Sequence, residues 1–228
     1  WLATNASDPW HRSPGFMGSD AEGGAGRGSA LVEEPRVFMA GMSDEAGASA
    51  PLAMSIKQLG LPSRAEVDKL EEWVHGTLWQ GERGERRQFL QGKDHSVRLS
   101  MLYWSDDIDA QPTGAAAGFA PALYRHCHKC WATCRKKRDC CYWMHCWSEE
   151  HSLETWRAYN YPHVTSDYWA LYRLGRHFSP PLTRRATWRW YLEQAGKTAL
   201  AMHKFGGRGT SQWGLMVGSV FELVLRDL

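Results

Sequence analysis

The sequence predicts a mostly α-helical protein made of antiparallel helical hairpins, and three observations lead to this fold class. Residues 63–78 carry apolar side chains at helical spacing, and the C-terminal third alternates helical patterns with short turns rich in Gly and Pro. Residues 95–104 alternate apolar and polar side chains, which favours a minor β-strand or hairpin there. Helices joined by short turns lie antiparallel, because each buries an apolar stripe against its neighbour.

Two helices are predicted before residue 80. The segment "APLAMSIKQLG" (50–60) is typical of a helix that ends at Gly60. After it, Ser63 and Glu66 have the spacing of a capping box, in which the two residues satisfy each other's backbone N–H groups. The apolar residues that follow predict one buried stripe, formed by Val67, Leu70, Val74 and Leu78.

The alternating segment follows a solvated connection. Its apolar positions are Val97, Leu99, Met101 and Tyr103. A strand is the first interpretation of this pattern, and a packed helix is the second.

Three more helices are predicted after residue 164. Thr165 is the expected N-cap of the first, whose apolar face holds Tyr168, Leu171, Tyr172 and Gly175. The turn "SPPLT" (179–183) places Thr183 as the N-cap of the next helix, over about 184–204, which should stop before Gly206. A last helix is expected over about 211–226.

Composition limits the class of protein. With 228 residues and a net charge of +2, the chain can bury a core, and no overall field draws it to nucleic acid or to a membrane surface. No apolar run reaches the roughly 18 residues that a membrane span needs. We expect a single helical domain over residues 1–228, and we interpret the start at Trp1 as that of a fragment or a processed chain.

All six cysteines lie between Cys127 and Cys146. Cys127 and Cys130 have the CxxC spacing of half a zinc site, but no matching second half is obvious, and disulfides or free thiols are the other open interpretations. We therefore predict neither a cofactor nor a metal site, with Cys127 and Cys130 as the alternative. Residues 132–144 combine a basic run with paired cysteines and differ from their surroundings, so they are either an atypical insertion or a solvated surface loop.

The acidic–aromatic segment, "HCWSEEHSLETWRAYNYPHV" (145–164), is the strongest functional signal. One interpretation is an ordinary helix with Ser148 as its cap, because Glu149 and Glu150 in the first turn would interact favourably with the helix dipole. The other is a sugar-cleaving site, since carboxylates alternate here with aromatic rings. Thirteen tryptophans favour the second interpretation, because indole rings stack well on carbohydrate.

Glycoside cleavage needs a carboxylic acid that protonates the leaving oxygen and a second carboxylate on the other side of the bond. Glu149 or Glu150 is the candidate acid, and burial beside Trp147 would raise its pKa as that role requires. The second carboxylate should come from elsewhere in the chain, with Asp167 as the main candidate. Other acids considered for this role are Glu222, Asp20, Asp44 and Glu45.

The candidate substrate-binding residues fall into two groups. Aromatic platforms and histidines come from the acidic–aromatic segment and the residues after it: Trp147, His151, Trp156, Tyr159, Tyr161, His163 and Trp169. Hydroxyl-binding residues come from a polar, turn-rich stretch near the start of the chain: Trp10, His11, Arg12 and Asp20.

Four blocks resemble a family described only as a domain of unknown function, whose members occur in fungi and bacteria. They are "SDPWHRSPGFMGSD" (7–20), "GMSDEAGASAPLAMSIKQLGLP" (41–62), "HCWSEEHSLETWRAYNYPHVTSDYWALYRL" (145–174) and "GTSQWGLMVGSVFELVLRDL" (209–228). The family is grouped with six-hairpin (α/α)-barrel glycosidases. The stretch from Trp147 to Glu150 is also similar to the Trp-Glu-Glu stretch that carries the general acid in glucoamylase-type barrels, with one serine inserted.

This resemblance implies a partial (α/α)₆-toroid-like array, since a complete toroid has about twelve helices of roughly 11–12 residues each and needs a longer chain. It also implies a carbohydrate-active protein with carboxylate acid–base chemistry, acting on an oligo- or polysaccharide outside the cell. The alternative is a non-catalytic helical module that binds a glycan or a protein, or an inactive fragment of an enzyme.

Overall fold

The computed structural model describes residues 48–82, 89–99, 152–207 and 216–228. Within these ranges the protein is mostly helical, as predicted, with five α-helices and no named strand. The helices are α1 (Ser49–Gly60), α2 (Arg64–Trp73), α3 (Asn160–Arg176), α4 (Trp188–Phe205) and α5 (Val220–Asp227). A short π-helix, Val74–Leu78, continues α2. In the described part of the chain, no helix is long and apolar enough to cross a membrane.

Helix α3 lies at the centre of the described fold. Helices α1, α4 and α5 all pack against it, α1 also packs on α2, and α5 also packs on α4. The predicted apolar face of α3 is confirmed as core, because Tyr168, Leu171, Tyr172 and Gly175 are all buried. The stripe predicted before residue 80 is confirmed as well, with Val67, Leu70, Val74 and Leu78 at most 1% exposed.

The predicted starts of three helices are wrong. Thr165 lies inside α3, which begins at Asn160; Pro162 is tolerated in its first turn, where backbone N–H groups have no partner within the helix. Thr183 precedes α4 by several residues, and the N-cap is Thr187, whose Oγ1 accepts a hydrogen bond of 3.2 Å from the Trp190 N–H. Helix α5 starts at Val220 rather than near residue 211. The predicted ends at Gly60 and before Gly206 are confirmed.

The capping box predicted between Ser63 and Glu66 is wrong, because both residues bond to residues of α1 instead of to each other. Ser63 is the N-cap, but its side chain makes no capping bond; its N–H instead donates to Gln58 Oε1 at 2.7 Å. Glu66 forms an ion pair with Lys57 and accepts a 2.7 Å bond from Gln58 Nε2. Gln58 and Lys57, at the end of α1, therefore bond to the two residues that would otherwise cap α2 with each other.

The strand predicted over 95–104 is wrong for residues 95–99, which form a single isolated bridge between Val97 and Gln91. The predicted alternation of buried and exposed side chains is absent here, because Val97, Arg98 and Leu99 are all fully buried. The carbonyls of Arg98 and Leu99 accept hydrogen bonds from the Asn160 side chain at 3.0 Å, so a neighbouring strand cannot use them. The remaining positions, including Met101 and Tyr103, lie outside the described residues.

A buried carboxylate joins α2 to the connection between α3 and α4. Glu71 is 1% exposed and accepts hydrogen bonds from the N–H groups of Arg184 and Arg185, and from the Tyr191 hydroxyl at 2.7 Å. Backbone N–H groups in a loop have no ladder partner, and a buried one without an acceptor is costly. Glu71 therefore fixes where this loop lies.

We expect Glu71→Gln to lower the free energy of unfolding by about 2–4 kcal/mol, because the Arg184 N–H bonds to both carboxylate oxygens and would face an NH2 group in either orientation of the amide. Urea unfolding followed by circular dichroism measures this loss.

Glu72→Gln is the matched control, because Glu72 forms a surface ion pair with Lys69 at 2.8 Å. Its loss should stay below about 0.5 kcal/mol. Equal losses in the two variants would contradict the structural role of Glu71.

Candidate functional site

In the described part of the acidic–aromatic segment, residues 154–157 form an irregular connection that leads into α3. Residues 154–157 have no helical structure, so the interpretation of this stretch as a helix capped by Ser148 is wrong there. The Leu99 N–H donates to the Glu154 carbonyl at 2.7 Å, and Arg98 Nη2 donates to Ser152 Oγ at 2.6 Å. These bonds hold the connection against residues 97–99.

Trp156 is held in one orientation. Its indole N–H donates to Glu154 Oε2 at 2.6 Å, and both side chains are partly buried. Gly207, with φ of +63°, passes directly behind it, where an added Cβ would lie 2.6 Å from the Trp156 carbonyl oxygen. The C-terminal end of α4 therefore supports this part of the connection.

Arg157 and Tyr159 form the next part of the same surface. Arg157 Nη1 donates to Asn160 Oδ1 at 3.1 Å, and its guanidinium lies over the Tyr159 ring, 5.6 Å from the centroid. A cation over a tyrosine face is attracted by the ring quadrupole, which adds rigidity to both side chains.

His163 lies in the first turn of α3 and is 5% exposed. Its Nδ1 is 2.9 Å from the Tyr159 carbonyl oxygen, so Nδ1 carries the proton and Nε2 carries the lone pair. Burial lowers the pKa of His163, and the positive charge of Arg157 lowers it further, although the bond to Tyr159 opposes them. The ring is therefore a neutral base with a fixed tautomer.

Asp167 lies one turn further along α3 and is 1% exposed. Its Oδ1 accepts a 3.0 Å hydrogen bond from Ser55 of α1, whereas its buried Oδ2 has no hydrogen-bond partner. Burial raises the pKa of Asp167 well above the usual range, and the Ser55 bond only partly opposes this. Asp167 thus lies between two helices, inside the protein rather than on the surface that carries Trp156.

The two other described aromatic candidates do not join that surface. Tyr161 is fully buried, and its hydroxyl donates to the Thr155 carbonyl at 2.9 Å. Trp169 donates its indole N–H to Asp227 of α5 at 2.9 Å, and Arg173 covers its ring. Trp169 lies ten residues along α3 from Tyr159, a rise of about 15 Å.

A family model described as "Family of unknown function (DUF5695)" matches residues 1–228. The chain belongs to the DUF5695 family. No curated protein and no solved structure matches it. The resemblance to a family of unknown function is therefore confirmed for this DUF5695 chain.

Many predicted site residues of the DUF5695 chain lie outside the described residues. They are Trp10, His11, Arg12, Asp20, Cys127, Cys130, Trp147, Glu149, Glu150 and His151, together with the possible insertion at 132–144. Of the predicted binding residues, the structure brings Trp156, Tyr159 and His163 onto one continuous stretch at the start of α3. Across the described ranges, no group of three His, Cys, Asp or Glu side chains could hold a metal ion.

Sequence reasoning missed a polar array in the interior of the DUF5695 fold. Tyr191 connects Glu71 to His75, whose Nε2 lies 3.2 Å from the Tyr191 hydroxyl. A signal was present, because Glu71 follows Val67 by four residues and so falls on the apolar stripe of α2. A carboxylate at a core position of a helix indicates a buried partner.

Because the pKa of Asp167 is raised, we expect the Asp167→Asn variant to become more stable relative to wild type as pH rises. The native carboxyl keeps its proton to a higher pH than the unfolded chain does, so its contribution to stability is lost as pH rises through the native pKa. Relative to wild type, the variant should gain up to about 1.4 kcal/mol per pH unit above roughly pH 4, measured by urea unfolding from pH 4 to 8.

Asp68→Asn serves as the control, since Asp68 has a side chain that is 43% exposed and faces Arg184 at 3.9 Å. It should show no such trend. A constant loss of stability in Asp167→Asn at every pH would mean that the native carboxyl is ionised.

Proposed function

We propose that this protein acts on carbohydrate, with residues 154–163 as part of the sugar-binding surface. The observations that carry the proposal are the Trp156 ring, which Glu154 fixes through the indole N–H, and the Tyr159 ring three residues on, over which the Arg157 guanidinium lies. A pre-oriented ring binds a sugar face without losing side-chain entropy, and adjacent carboxylate and guanidinium groups match its hydroxyls.

The proposal also includes catalysis, by acidic residues that precede this surface in the sequence. Glu149 or Glu150 supplies the general acid of a glycoside hydrolase-like reaction, and a second carboxylate on the far side of the bond supplies the nucleophile or activates water. A partial (α/α)₆-toroid-like arrangement and a location outside the cell belong to the same proposal.

The burial of Asp167 favours a second candidate, a non-catalytic helical module that binds a glycan. Asp167 was the main choice for the opposing carboxylate, but its side chain is directed to Ser55 between two helices. A glycan cannot contact a carboxyl group that is 1% exposed unless the helices separate. The aromatic surface needs no opposing acid in order to bind.

We expect Tyr159→Ala to weaken glycan binding about tenfold, because it removes one stacking face and releases Arg157. Affinity electrophoresis of the whole chain against a panel of soluble polysaccharides measures this effect.

Trp169→Phe is the control, because Trp169 lies beside α5 and away from the proposed surface. It should bind as wild type does. Failure of every glycan on the panel to retard the wild-type protein would remove the proposal.

Glu149→Gln or Glu150→Gln should lower turnover of the retarded glycans by about 10²–10⁴-fold, since an amide cannot protonate the leaving oxygen. Reducing-end release measures turnover, and unchanged thermal melting confirms the fold of each variant. Binding without any turnover by the wild-type chain would favour the non-catalytic module over the hydrolase.

A further inference from the structure

Two arginines lie over one tryptophan ring at the place where α3 ends and α4 begins. Arg176 is the last residue of α3 and Arg189 is the second residue of α4. The guanidinium carbon of each lies 4.8 Å from the centroid of the Trp188 ring, so the two charges are at most twice that distance apart. Both arginines are exposed. We call Arg176, Arg189 and Trp188 the arginine cluster.

The charge of this cluster is not neutralised by acidic side chains. Residues 168–192 contain five arginines and no Asp or Glu. The first acid after them, Glu193, faces Lys197 at 3.6 Å, and Asp227 of α5 accepts a hydrogen bond from Trp169. Within the part of the chain that the structure describes, neither arginine of the cluster forms an ion pair with a carboxylate. A local positive surface therefore exists in a chain whose net charge is only +2.

Helix electrostatics does not explain why Arg189 is at this position. The N-terminus of a helix carries a partial positive charge, which repels a cation in the first turn. Arg189 lies in the first turn of α4, whereas Arg176 at the end of α3 has the favoured position. Among the described residues, the Arg189 guanidinium has no hydrogen-bond acceptor. The two arginine charges and the start of α4 thus act together on an anion, and the donors of Arg189 are available to it.

Close packing between the two helices fixes the place of the cluster. A Cβ added to Gly175 would lie 2.6 Å from Thr183 Oγ1 and 3.1 Å from Trp188 Cβ, so α3 lies directly against the loop and the start of α4. Arg64 of α2 also holds this loop, because its Nη1 donates to the Leu182 carbonyl at 2.5 Å. Charges that are positioned before a ligand arrives bind it with a smaller loss of entropy.

The chemistry of the cluster favours carboxylate groups over nucleobases. A guanidinium group carries a planar fork of N–H donors, which matches the two oxygens of a carboxylate. Arg176 uses Nη1 to donate to the Tyr172 hydroxyl at 3.0 Å and keeps other donors. Binding of single-stranded nucleic acid depends on open aromatic rings, whereas the Trp188 ring already contacts two guanidinium groups.

The cluster and the proposed sugar-binding surface lie at opposite ends of α4. Trp188 begins this helix of 18 residues, which corresponds to about 25 Å, and Trp156 packs beside Gly207 just after its last residue. A single sugar cannot contact both places. A ligand that uses both is therefore a polymer.

We propose that the arginine cluster binds the carboxylate groups of an acidic polysaccharide, a polyuronate, whose chain also contacts residues 154–163. This inference rests on the proposed function, because it names the class of glycan that the protein binds. Uronate carboxylates accept hydrogen bonds from Arg176 and Arg189, while the rings of Trp156 and Tyr159 contact the faces of other sugars in the same chain.

Affinity electrophoresis of the whole chain in gels that contain polygalacturonate tests the proposal. We expect polygalacturonate to retard the wild-type protein, and added salt to reduce the retardation, because the arginines are exposed. Arg189→Gln should weaken the binding about tenfold, since it removes a charge-assisted hydrogen bond. Its thermal melting should match that of wild type, which shows that the fold is retained.

Lys197→Gln is the matched control, because it removes one positive charge from the exposed side of the same helix, where Lys197 faces Glu193. It should bind polygalacturonate as wild type does. Equal weakening in Lys197→Gln and Arg189→Gln would mean a general attraction between charges and would overturn the proposal. Unchanged binding by Arg189→Gln would also overturn it.

Two further ligands separate this inference from the proposed function. Retardation of the wild-type protein by neutral dextran but not by polygalacturonate would overturn the polyuronate inference and leave the proposed function standing. Oligothymidylate that binds as tightly as polygalacturonate would assign the cluster to phosphate groups and overturn the inference as well. If no glycan retards the protein, both proposals fail together.

Discussion

The burial of α3 on nearly every side is the constraint on which the rest of the described structure depends. Helices α1, α4 and α5 pack around it, so water cannot satisfy those of its polar side chains that are buried. Each such group must bond within the protein or become neutral. Asn160 bonds two carbonyls of residues 97–99, Tyr168 donates to Gln91, and Asp167 accepts from Ser55. The polar residues of α3 therefore position the segments around it.

The candidate sugar-binding surface follows from how the chain enters this helix. The Asn160 side chain bonds to residues 98 and 99 and the Glu154 carbonyl bonds to Leu99, while residues 154–157 have no helical structure. Trp156 and Tyr159 stay partly exposed there, whereas Tyr161 lies in the core. Asp167 lies deeper, where it accepts from Ser55 of α1.

The two ends of α4 serve different purposes. Its C-terminal end supports the connection at Trp156, whereas its N-terminal end supplies Tyr191 to an interior array of polar groups. The burial of Glu71 has a structural cause, because its carboxylate accepts hydrogen bonds from two backbone N–H groups of the loop before α4. Once Glu71 is buried for that reason, the Tyr191 hydroxyl also finds its acceptor there, 2.7 Å from Glu71 Oε1.

The sequence by itself determined that this protein is helical, which stripes are buried and where two helices end, since apolar spacing and glycine act locally on the backbone. It also determined that acids and aromatic rings are concentrated before α3. Only the tertiary structure decided the caps, the loss of the strand at 95–99, and the difference between buried Glu71 and the partly exposed Glu72. The partners of Asp167 and Glu71 are 112 and 120 residues away, and spacing along a chain carries no information about hydrogen bonds formed across such distances.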